Sequence, residues 1–463
     1  MENKRNSFTG SIGFVLAAAG SAVGLGNIWR FPYLAARDGG GLFLVIYLAL
    51  TLTFGFALLT GEVAIGRNTK QSPLTAYSKL SAKFKPLGVM ACLVPMIIMP
   101  YYCVIGGWVI KYLVAFVSGS GVKASQDGYF TGFITSTASP IVMTVIFLAL
   151  TMGVVLGGVE KGIERFSKVI MPLLVFIIIG IAVFSLTMSY KDDSGAVRTG
   201  LEGLKVLVVP DFTGLTVQKF FTVLMDAMGQ LFYSLSIAMG IMVAYGSYMR
   251  DEDNLPKAVG HIEIFDTGIA FLAGVMIIPA VYVFMGREGM EASGPGLMFV
   301  SLPKVFAQMG RIGNLLGALF FALVLFAALT SSVSILEAIV SSFIDQFHMD
   351  RVKAVVIEGV IALTLGVIVC LGYNVFYFEV GLPNGATAQI LDIMDYLSNN
   401  VMMPIVAILT CILIGWVVGC EKIIAEITKN GERFHRKGLF IVMIRFVAPL
   451  MLVVLLLKAA GII

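Results

Sequence analysis

The segment AGSAVGLGNIWRFPY, residues Ala19–Tyr33, decides the fold that this sequence predicts. It lies in an apolar stretch from about residue 12 to residue 36, which is long enough to cross a bilayer. A spanning helix must satisfy its own peptide groups, because lipid offers no hydrogen-bond partner. Three glycines interrupt this helix, and an asparagine and an arginine follow them at membrane depth, where charge is costly. We therefore predict a helix broken near Val23–Gly24, with its freed backbone groups facing a polar cavity.

A face of small residues packed against another helix is the alternative explanation of these glycines. That alternative does not explain Asn27 and Arg30 beside them. The broken helix remains the interpretation that accounts for all of these residues.

The composition indicates a polytopic membrane protein. Of 463 residues, 58% are hydrophobic and only 13% are charged, whereas a soluble protein has about 25% charged residues. The net charge of +4 does not indicate a nucleic-acid partner. The five cysteines and three histidines lack disulfide or zinc spacing, and no catalytic pair, HExxH motif or phosphate loop is present. We therefore expect neither an enzyme nor a cleaved signal peptide.

Eleven apolar segments have spanning length. They cover about 11–37, 41–66, 88–117, 140–157, 168–190, 219–249, 258–285, 312–346, 352–372, 389–419 and 439–459. With the N-terminus in the cytoplasm, the inner segments hold 19 Lys and Arg residues and the outer segments hold nine. The positive-inside rule thus predicts a multi-pass protein of the inner (plasma) membrane, with a cytoplasmic N-terminus and an extracytoplasmic C-terminus.

The sixth segment repeats the anomaly of the first. Phe232–Gly240 reads FYSLSIAMG, with two serines and a glycine in the middle of a span. Two broken helices five spans apart predict one transmembrane domain, 1–463, built as an inverted repeat of 11–190 against 219–419 with an additional helix at 439–459. Such helices point to a transporter's central binding site.

Polar residues at depth suggest what this site binds. Asp266 lies in the seventh segment, where a buried carboxylate is expensive and functional by default. Oxygen ligands without Cys or His suit a hard cation such as sodium, and half-helix N-termini suit a carboxylate. Thr330 and Ser331 in the eighth segment are candidate ligands, although such hydroxyls often bond to their own helix. Tyr102 is a candidate partner of the carboxylate, with packing as the alternative. Together these groups favour a free amino acid bound beside sodium.

Several motifs in order resemble the neurotransmitter:sodium symporter family, and the chain is similar to its prokaryotic sodium-coupled amino-acid transporters. They are AGSAVGLGNIWRFPY, YYCVIGGW, KGIERFSKVIMP, GQLFYSLS and LTSSVSILE. The resemblance implies the leucine-transporter fold, an all-α integral membrane architecture of about eleven transmembrane helices with a five-plus-five inverted repeat and broken helices 1 and 6.

The resemblance also implies two sodium sites and a substrate site. The first sodium site would comprise Ala22, Asn27, Ser234 and Asp266, completed by the substrate carboxylate. The second would comprise Gly20, Val23, Ala327, Thr330 and Ser331. The substrate site would comprise Ala22, Gly24, Leu25, Gly26, Ile98, Tyr102, Tyr233, Ser234, Ser236, Met239, Ser331 and Ile335.

Gates on both sides of the site follow from the same resemblance. Arg30 and Asp395 match an outer ion pair beneath which Tyr233 forms a lid, and Arg5 and Asp345 match an inner pair. The inner pair would have Phe8 and Tyr248 nearby, and Glu62 would support the unwound part of the sixth span. Pro172 matches a position linked to inner opening of the fifth span, with a helix start as the alternative.

Two departures from the family pattern refine the expected function. Asp266 replaces the asparagine of chloride-dependent relatives, near Tyr47, Gln230 and Ser234, which implies transport without chloride. Met239 stands where some relatives have an aromatic residue, and methionine adapts to bulky apolar partners. We expect a sodium symporter that resides in the lipid bilayer and imports a hydrophobic or aromatic L-amino acid by alternating access. The alternative is a sensor or channel of the same architecture. The oligomeric state stays open, and a monomer is compatible with the sequence.

Overall fold

Long apolar helices make up most of the chain, as the composition predicts. The computed structural model describes residues 7–191, 195, 197–287, 289 and 294–462. In chain order the helices are α1 (Ser11–Ala22), α2 (Gly26–Arg37), α3 (Gly41–Thr69), α4 (Pro73–Leu80), α5 (Ala82–Val117), α6 (Gly121–Ala124), α7 (Tyr129–Ile134), α8 (Ala138–Leu156), α9 (Val159–Thr187), α10 (Gly200–Val208), α11 (Val217–Ser234), α12 (Ile241–Tyr248), α13 (Leu255–Met285), α14 (294–308), α15 (Arg311–Phe347), α16 (Arg351–Leu371), α17 (Ile390–Ile427) and α18 (Lys437–Ala459).

Two short antiparallel hairpins lie in the connections. Strand β1 (Ser189–Lys191) pairs with β2 (Val197–Thr199), with Tyr190 opposite Arg198. Strand β3 (Val380–Gly381) pairs with β4 (Thr387–Ala388).

The helices agree with the predicted spans. Within the described residues, nine helices are long and apolar enough to cross a membrane, and the bent pair α1–α2 raises the number to ten. The remaining predicted segment, the sixth (219–249), corresponds to α11 and α12, which are separated by six residues outside the helices. The inverted repeat itself stays a prediction.

The first helix breaks where the glycines predict. The axes of α1 and α2 differ by 51°, and the amide of Gly24 donates to Ala22 O at 3.0 Å rather than to a carbonyl four residues back. A Cβ atom on Gly24 would collide with Ser331 Oγ. Glycine is required here because the break packs directly against α15.

The second break is held in an unusual backbone conformation. Ser236 and Ala238 have φ values of 53° and 63°, in the left-handed region that residues other than glycine rarely adopt. Glu62 of α3 accepts a hydrogen bond from the Ala238 amide at 2.8 Å. This contact satisfies one backbone donor that the break leaves without a helical partner, as expected for a residue that supports the unwound segment.

The helix-start interpretation of Pro172 is wrong. Helix α9 begins at Val159, and Pro172 lies well inside it. A proline there removes one helical hydrogen bond, so the preceding turn of α9 has a free carbonyl in the middle of the span.

Candidate functional site

The two breaks meet at a buried cluster of polar side chains from four helices. Asp266 of α13 is fully buried and accepts three hydrogen bonds. The donors are Ser234 Oγ at 2.5 Å, Asn27 Nδ2 at 2.8 Å and Tyr47 Oη at 3.1 Å. A carboxylate without access to water needs such partners. The predicted first-site residues Asn27, Ser234 and Asp266 therefore lie within hydrogen-bond distance of one another.

The oxygen atoms of this cluster suit a hard cation. Asn27 Oδ1 accepts from Ser234 Oγ at 3.2 Å and from the Gly24 amide at 3.4 Å. Ala22 is the last residue of α1, directly before the break. Amide, hydroxyl and carboxylate oxygens are thus grouped at one point, with one formal negative charge on Asp266 to balance a cation.

The neighbours expected for Asp266 are present. Tyr47 also donates to Ser234 Oγ at 3.3 Å. Gln230 is fully buried and donates from Nε2 to Gly26 O at 3.0 Å, which ties α11 to the start of α2. Its Oε1 atom has no hydrogen-bond partner among the described residues.

The second set of candidate ligands lies where α15 packs on α1. Ser331 Oγ donates to Ser21 O at 3.0 Å. A Cβ atom on Gly20 would lie 3.4 Å from Thr330 Cβ. Thr330 Oγ1 bonds within its own helix, to Ala327 O at 3.0 Å, as the alternative interpretation of a membrane hydroxyl expects. Val23 lies in the break, directly after α1. The candidate ligands of the second set therefore come from α1, the break and α15, where α1 and α15 pack together.

A small cavity lies next to both clusters. Its volume is about 20 Å³. The lining residues come from α1, α5, α11, α15 and both breaks, and they are Ser21, Gly24, Ile98, Tyr102, Tyr233, Ser236, Met239, Ser331 and Ile335. All of these except Ser21 were predicted from the sequence as substrate-binding residues. Leu25 and Gly26 follow Gly24 in the chain, and a Cβ atom on Gly26 would collide with the Tyr233 ring.

The polar groups that could contact a ligand in this cavity include the hydroxyls of Tyr102 and Ser21. The Tyr102 hydroxyl is buried and has no hydrogen-bond partner among the described residues, so it is available to a ligand. Ser21 was missed by the sequence interpretation, and its Oγ lies 3.1 Å from Ser236 Oγ while its carbonyl accepts from Ser331. A serine beside Gly20 in an otherwise apolar helix was the signal that could have identified it.

The outer side of the cavity is not closed by an ion pair. Arg30 and Asp395 are both described, and no Arg30 nitrogen lies within the 4.0 Å that defines an ion pair with Asp395. Asp395 instead accepts from Asn399 Nδ2 at 2.6 Å. Arg30 lines a second cavity above the first, together with Tyr233 and Asn399. The predicted direct Arg30–Asp395 contact is thus not formed in this structure, and the gate role of the two residues stays a prediction.

On the side of the predicted inner gate, aromatic rings pack together beside an ion pair whose acidic partner is buried. Phe8 is buried and packs edge-on against Tyr245 and Tyr248, with ring centroids 5.7 and 6.2 Å away. Tyr248 Oη donates to Glu337 Oε1 at 2.6 Å, and Glu337 pairs with Arg351 at 2.6 Å. The sequence interpretation missed this ion pair, although Glu337 ends the motif LTSSVSILE.

Of the two residues of the predicted inner gate, Asp345 lies in the described part of the chain. Arg5 lies outside the described residues. Asp345 Oδ2 accepts from the Ser72 amide at 2.6 Å. Its pairing with Arg5 stays a prediction.

Comparisons with known proteins agree with this arrangement. The model of the "Sodium:neurotransmitter symporter family" matches residues 5–121 and 132–462. An uncharacterized sodium-dependent transporter of Bacillus subtilis is 36% identical to this chain, over 100% of this chain and 99% of that protein. The sodium- and chloride-dependent GABA transporter 2 of Homo sapiens is 25% identical, over 90% of this chain and 74% of that one.

A solved structure is similar over nearly the whole length. The structure of MhsT in complex with L-phenylalanine matches with a TM-score of 0.85 and 33% identity, and the match covers 98% of this chain and 100% of MhsT. This similarity confirms the predicted all-α membrane transporter of the leucine-transporter fold. The relatives are sodium-dependent transporters, which agrees with the prediction that the protein is not an enzyme. The chain belongs to the sodium:neurotransmitter symporter family.

Proposed function

We propose that the protein is a sodium-coupled symporter that imports a hydrophobic or aromatic L-amino acid by alternating access, without a requirement for chloride. The observation that carries this proposal is the cluster of Asn27, Ser234 and Asp266 at the meeting point of the two breaks, beside the cavity that contains Tyr102. A sodium ion and an amino-acid carboxylate would be neighbours there.

The substrate class is inferred from the cavity. Ile98, Met239 and Ile335 are apolar and buried, so they favour an apolar side chain over a charged one. The Tyr102 hydroxyl would donate to the substrate carboxylate, with the amides of Leu25 and Gly26 as further donors. MhsT, which is similar to this chain throughout, has been solved with L-phenylalanine.

Coupling would arise because the substrate carboxylate completes the coordination of the first sodium ion. Each ligand then binds more tightly when the other is present, and the coupling is reciprocal. A tenfold sodium gradient supplies about 1.4 kcal/mol per ion, and 100 mV adds about 2.3 kcal/mol per charge. Two sodium ions would supply roughly 7 kcal/mol, enough to concentrate a zwitterion on the order of 10⁵-fold.

Independence from chloride is inferred from Asp266. Its fixed carboxylate has one negative charge next to Asn27 and Ser234, so a bound chloride ion is not needed to balance the sodium charge. The human GABA transporter 2 is described as chloride-dependent, but that relative is only 25% identical.

The orientation and the gates belong to the same proposal. The excess of Lys and Arg favours a cytoplasmic N-terminus in the plasma membrane. The cavity at Arg30 would then face outward, and the Phe8–Tyr248–Glu337 packing would close the cytoplasmic side. Arg30 and Asp395 would approach one another when the outer side closes.

Uptake into proteoliposomes tests the proposal. Purified protein would be reconstituted with potassium inside, and a panel of twenty L-amino acids would compete against labelled L-phenylalanine under an inward sodium gradient. We expect sodium-dependent accumulation that hydrophobic and aromatic amino acids inhibit and that replacement of chloride by gluconate leaves unchanged. Sodium-dependent binding without accumulation would favour the sensor, and uptake that only equilibrates would favour the channel.

A further inference from the structure

A buried glutamate outside the candidate site has no partner. Glu358 lies on α16, two helical turns beyond Arg351, and its exposed fraction is 0%. Neither of its carboxylate oxygens has a hydrogen-bond partner in the described part of the chain. The other buried acidic residues there all have a donor or a cation on at least one oxygen.

Helix α16 packs closely around this residue. Alanines at 354 and 362 and a glycine at 366 recur every four residues on the face that bears Glu358, and all are buried. Small residues at this spacing let helices approach closely. A Cβ atom on Gly366 would lie 3.5 Å from Pro100 O of α5. Water has little room along this face.

Among the described residues, no cation is paired with Glu358. The titratable side chains of α5 that face it are the thiols of Cys92 and Cys103. Ser342 of α15 donates to Ala338 O of its own helix, and Met152 of α8 lies against the adjacent Gly359. The cations of α16 itself are Arg351, which is already paired with Glu337, and Lys353, whose side chain is exposed. An ionised carboxylate would thus have no compensating charge or donor.

A carboxyl group in such a place is held in its neutral form. Burial without a partner disfavours an anion so strongly that the group takes up a proton instead. We propose that Glu358 is a proton-binding site of this transporter, occupied while α5, α8, α15 and α16 exclude water from it and emptied when the cytoplasmic side opens. This inference rests on the proposed alternating access.

The connection to opening lies on the same helix face. Arg351 and Glu337 join α16 to α15, and Glu337 accepts from Tyr248 on the side of the predicted inner gate. Separation of these groups would admit water along the face of α16 towards Glu358. The carboxyl O–H bond would then break, the proton would pass to cytoplasmic water, and the carboxylate would remain in the hydrated crevice.

The sign of the pH effect follows from linkage. The closed-inside state binds the Glu358 proton, and the open-inside state releases it. Raising the pH therefore favours the open-inside state, and lowering it favours the state described here.

Infrared spectroscopy and proton counting on the full-length protein test this site. The wild type, Glu358→Gln and the control Glu160→Gln, an exposed acid on α9, would be compared in detergent. We expect a protonated-carboxyl band in the wild type and the control that is absent from Glu358→Gln. Addition of sodium gluconate to sodium-free protein in weak buffer should change the number of bound protons. The change in Glu358→Gln should differ from that in the wild type by about one proton per transporter at most.

The outcomes separate this inference from the proposed function. A wild type without a band assignable to Glu358 would overturn the site, because Glu358 would be ionised. An identical proton exchange in wild type and Glu358→Gln would also overturn it, since the group would then stay neutral throughout. If Glu358→Gln does not fold, Glu358→Leu replaces it as the variant in both measurements. The pH titration of the wild-type carboxyl band then shows directly whether Glu358 binds and releases a proton. Failure of amino-acid uptake with an intact proton exchange would refute the proposed symport and leave the proton site standing.

Discussion

Replacing Asp266 with asparagine removes the one charge of the candidate sodium cluster while keeping the size of the side chain. Ser234 Oγ lies 2.5 Å from the carboxylate, so a sodium ion held by Ser234 and Asn27 would be close to it. Two unit charges roughly 4 Å apart at an effective dielectric constant of about 20 interact by about 4 kcal/mol. That energy corresponds to about a thousandfold in sodium affinity.

The same substitution has a second and separable effect on stability. Asn27 Nδ2 and Tyr47 Oη donate to different oxygens of Asp266, at 2.8 and 3.1 Å. An amide offers one oxygen, so one of these donors would face an NH₂ group. Leaving a buried donor unsatisfied costs about 1–3 kcal/mol of folding free energy, which a thermal-unfolding measurement in detergent would detect.

The assay measures sodium-dependent amino-acid uptake with gluconate or chloride as the anion. We expect Asp266→Asn to lose uptake in gluconate and either to remain inactive in chloride or to regain part of its activity there. The matched control is Asp127→Asn, whose side chain is 87% exposed and pairs with Lys304 at the surface. Full activity of Asp266→Asn in gluconate would refute the assignment of the balancing charge to Asp266.

Three further substitutions test other parts of the account. Tyr102→Phe should weaken amino-acid binding by about 10- to 100-fold, the value of a hydrogen bond to a charged group. The melting temperature should not fall, because the hydroxyl has no hydrogen-bond partner within the described residues. Unchanged affinity would exclude a contact between Tyr102 and the substrate. Gly24→Ala should reduce uptake by at least about tenfold, because the methyl group would collide with Ser331, whereas Gly132→Ala, with open space around it, should behave as the wild type. Asp395→Ala should reduce uptake and increase the labelling of a cysteine introduced in place of Gly229, which lines the cavity at Arg30; uptake and labelling equal to those of the same cysteine variant with Asp395 intact would count against a role of Asp395 as a gate.

The positions of the helix breaks were predictable because they depend on local chemistry. Glycines, serines and an asparagine in an apolar span identify places where an uninterrupted helix is costly. The resemblance supplied Glu62 as a support of the second break, but the left-handed conformation of Ser236 and Ala238 was not predicted, because neither residue type favours it. Pro172 was ambiguous because only tertiary packing fixes where α9 begins.

The candidate site was likewise predictable from the sequence only in part. Residue type identified Asp266 at membrane depth, and the family resemblance supplied most of the residues that line the cavity. Ser21 was overlooked because its role depends on carbonyl and hydroxyl contacts to two other helices. The Glu337–Arg351 ion pair was overlooked because the two residues lie on different helices and meet only after folding. The resemblance implied a direct contact between Arg30 and Asp395, but sequence alone does not specify the distance between the two side chains in a given structure.

The most direct test of the account is the affinity of the purified protein for labelled L-phenylalanine, measured over a series of sodium concentrations at constant ionic strength. We predict that sodium tightens amino-acid binding and that the amino acid tightens sodium binding by the same factor, because the carboxylate and the ion share one coordination shell. Amino-acid affinity that is independent of sodium in the wild type would contradict the central claim.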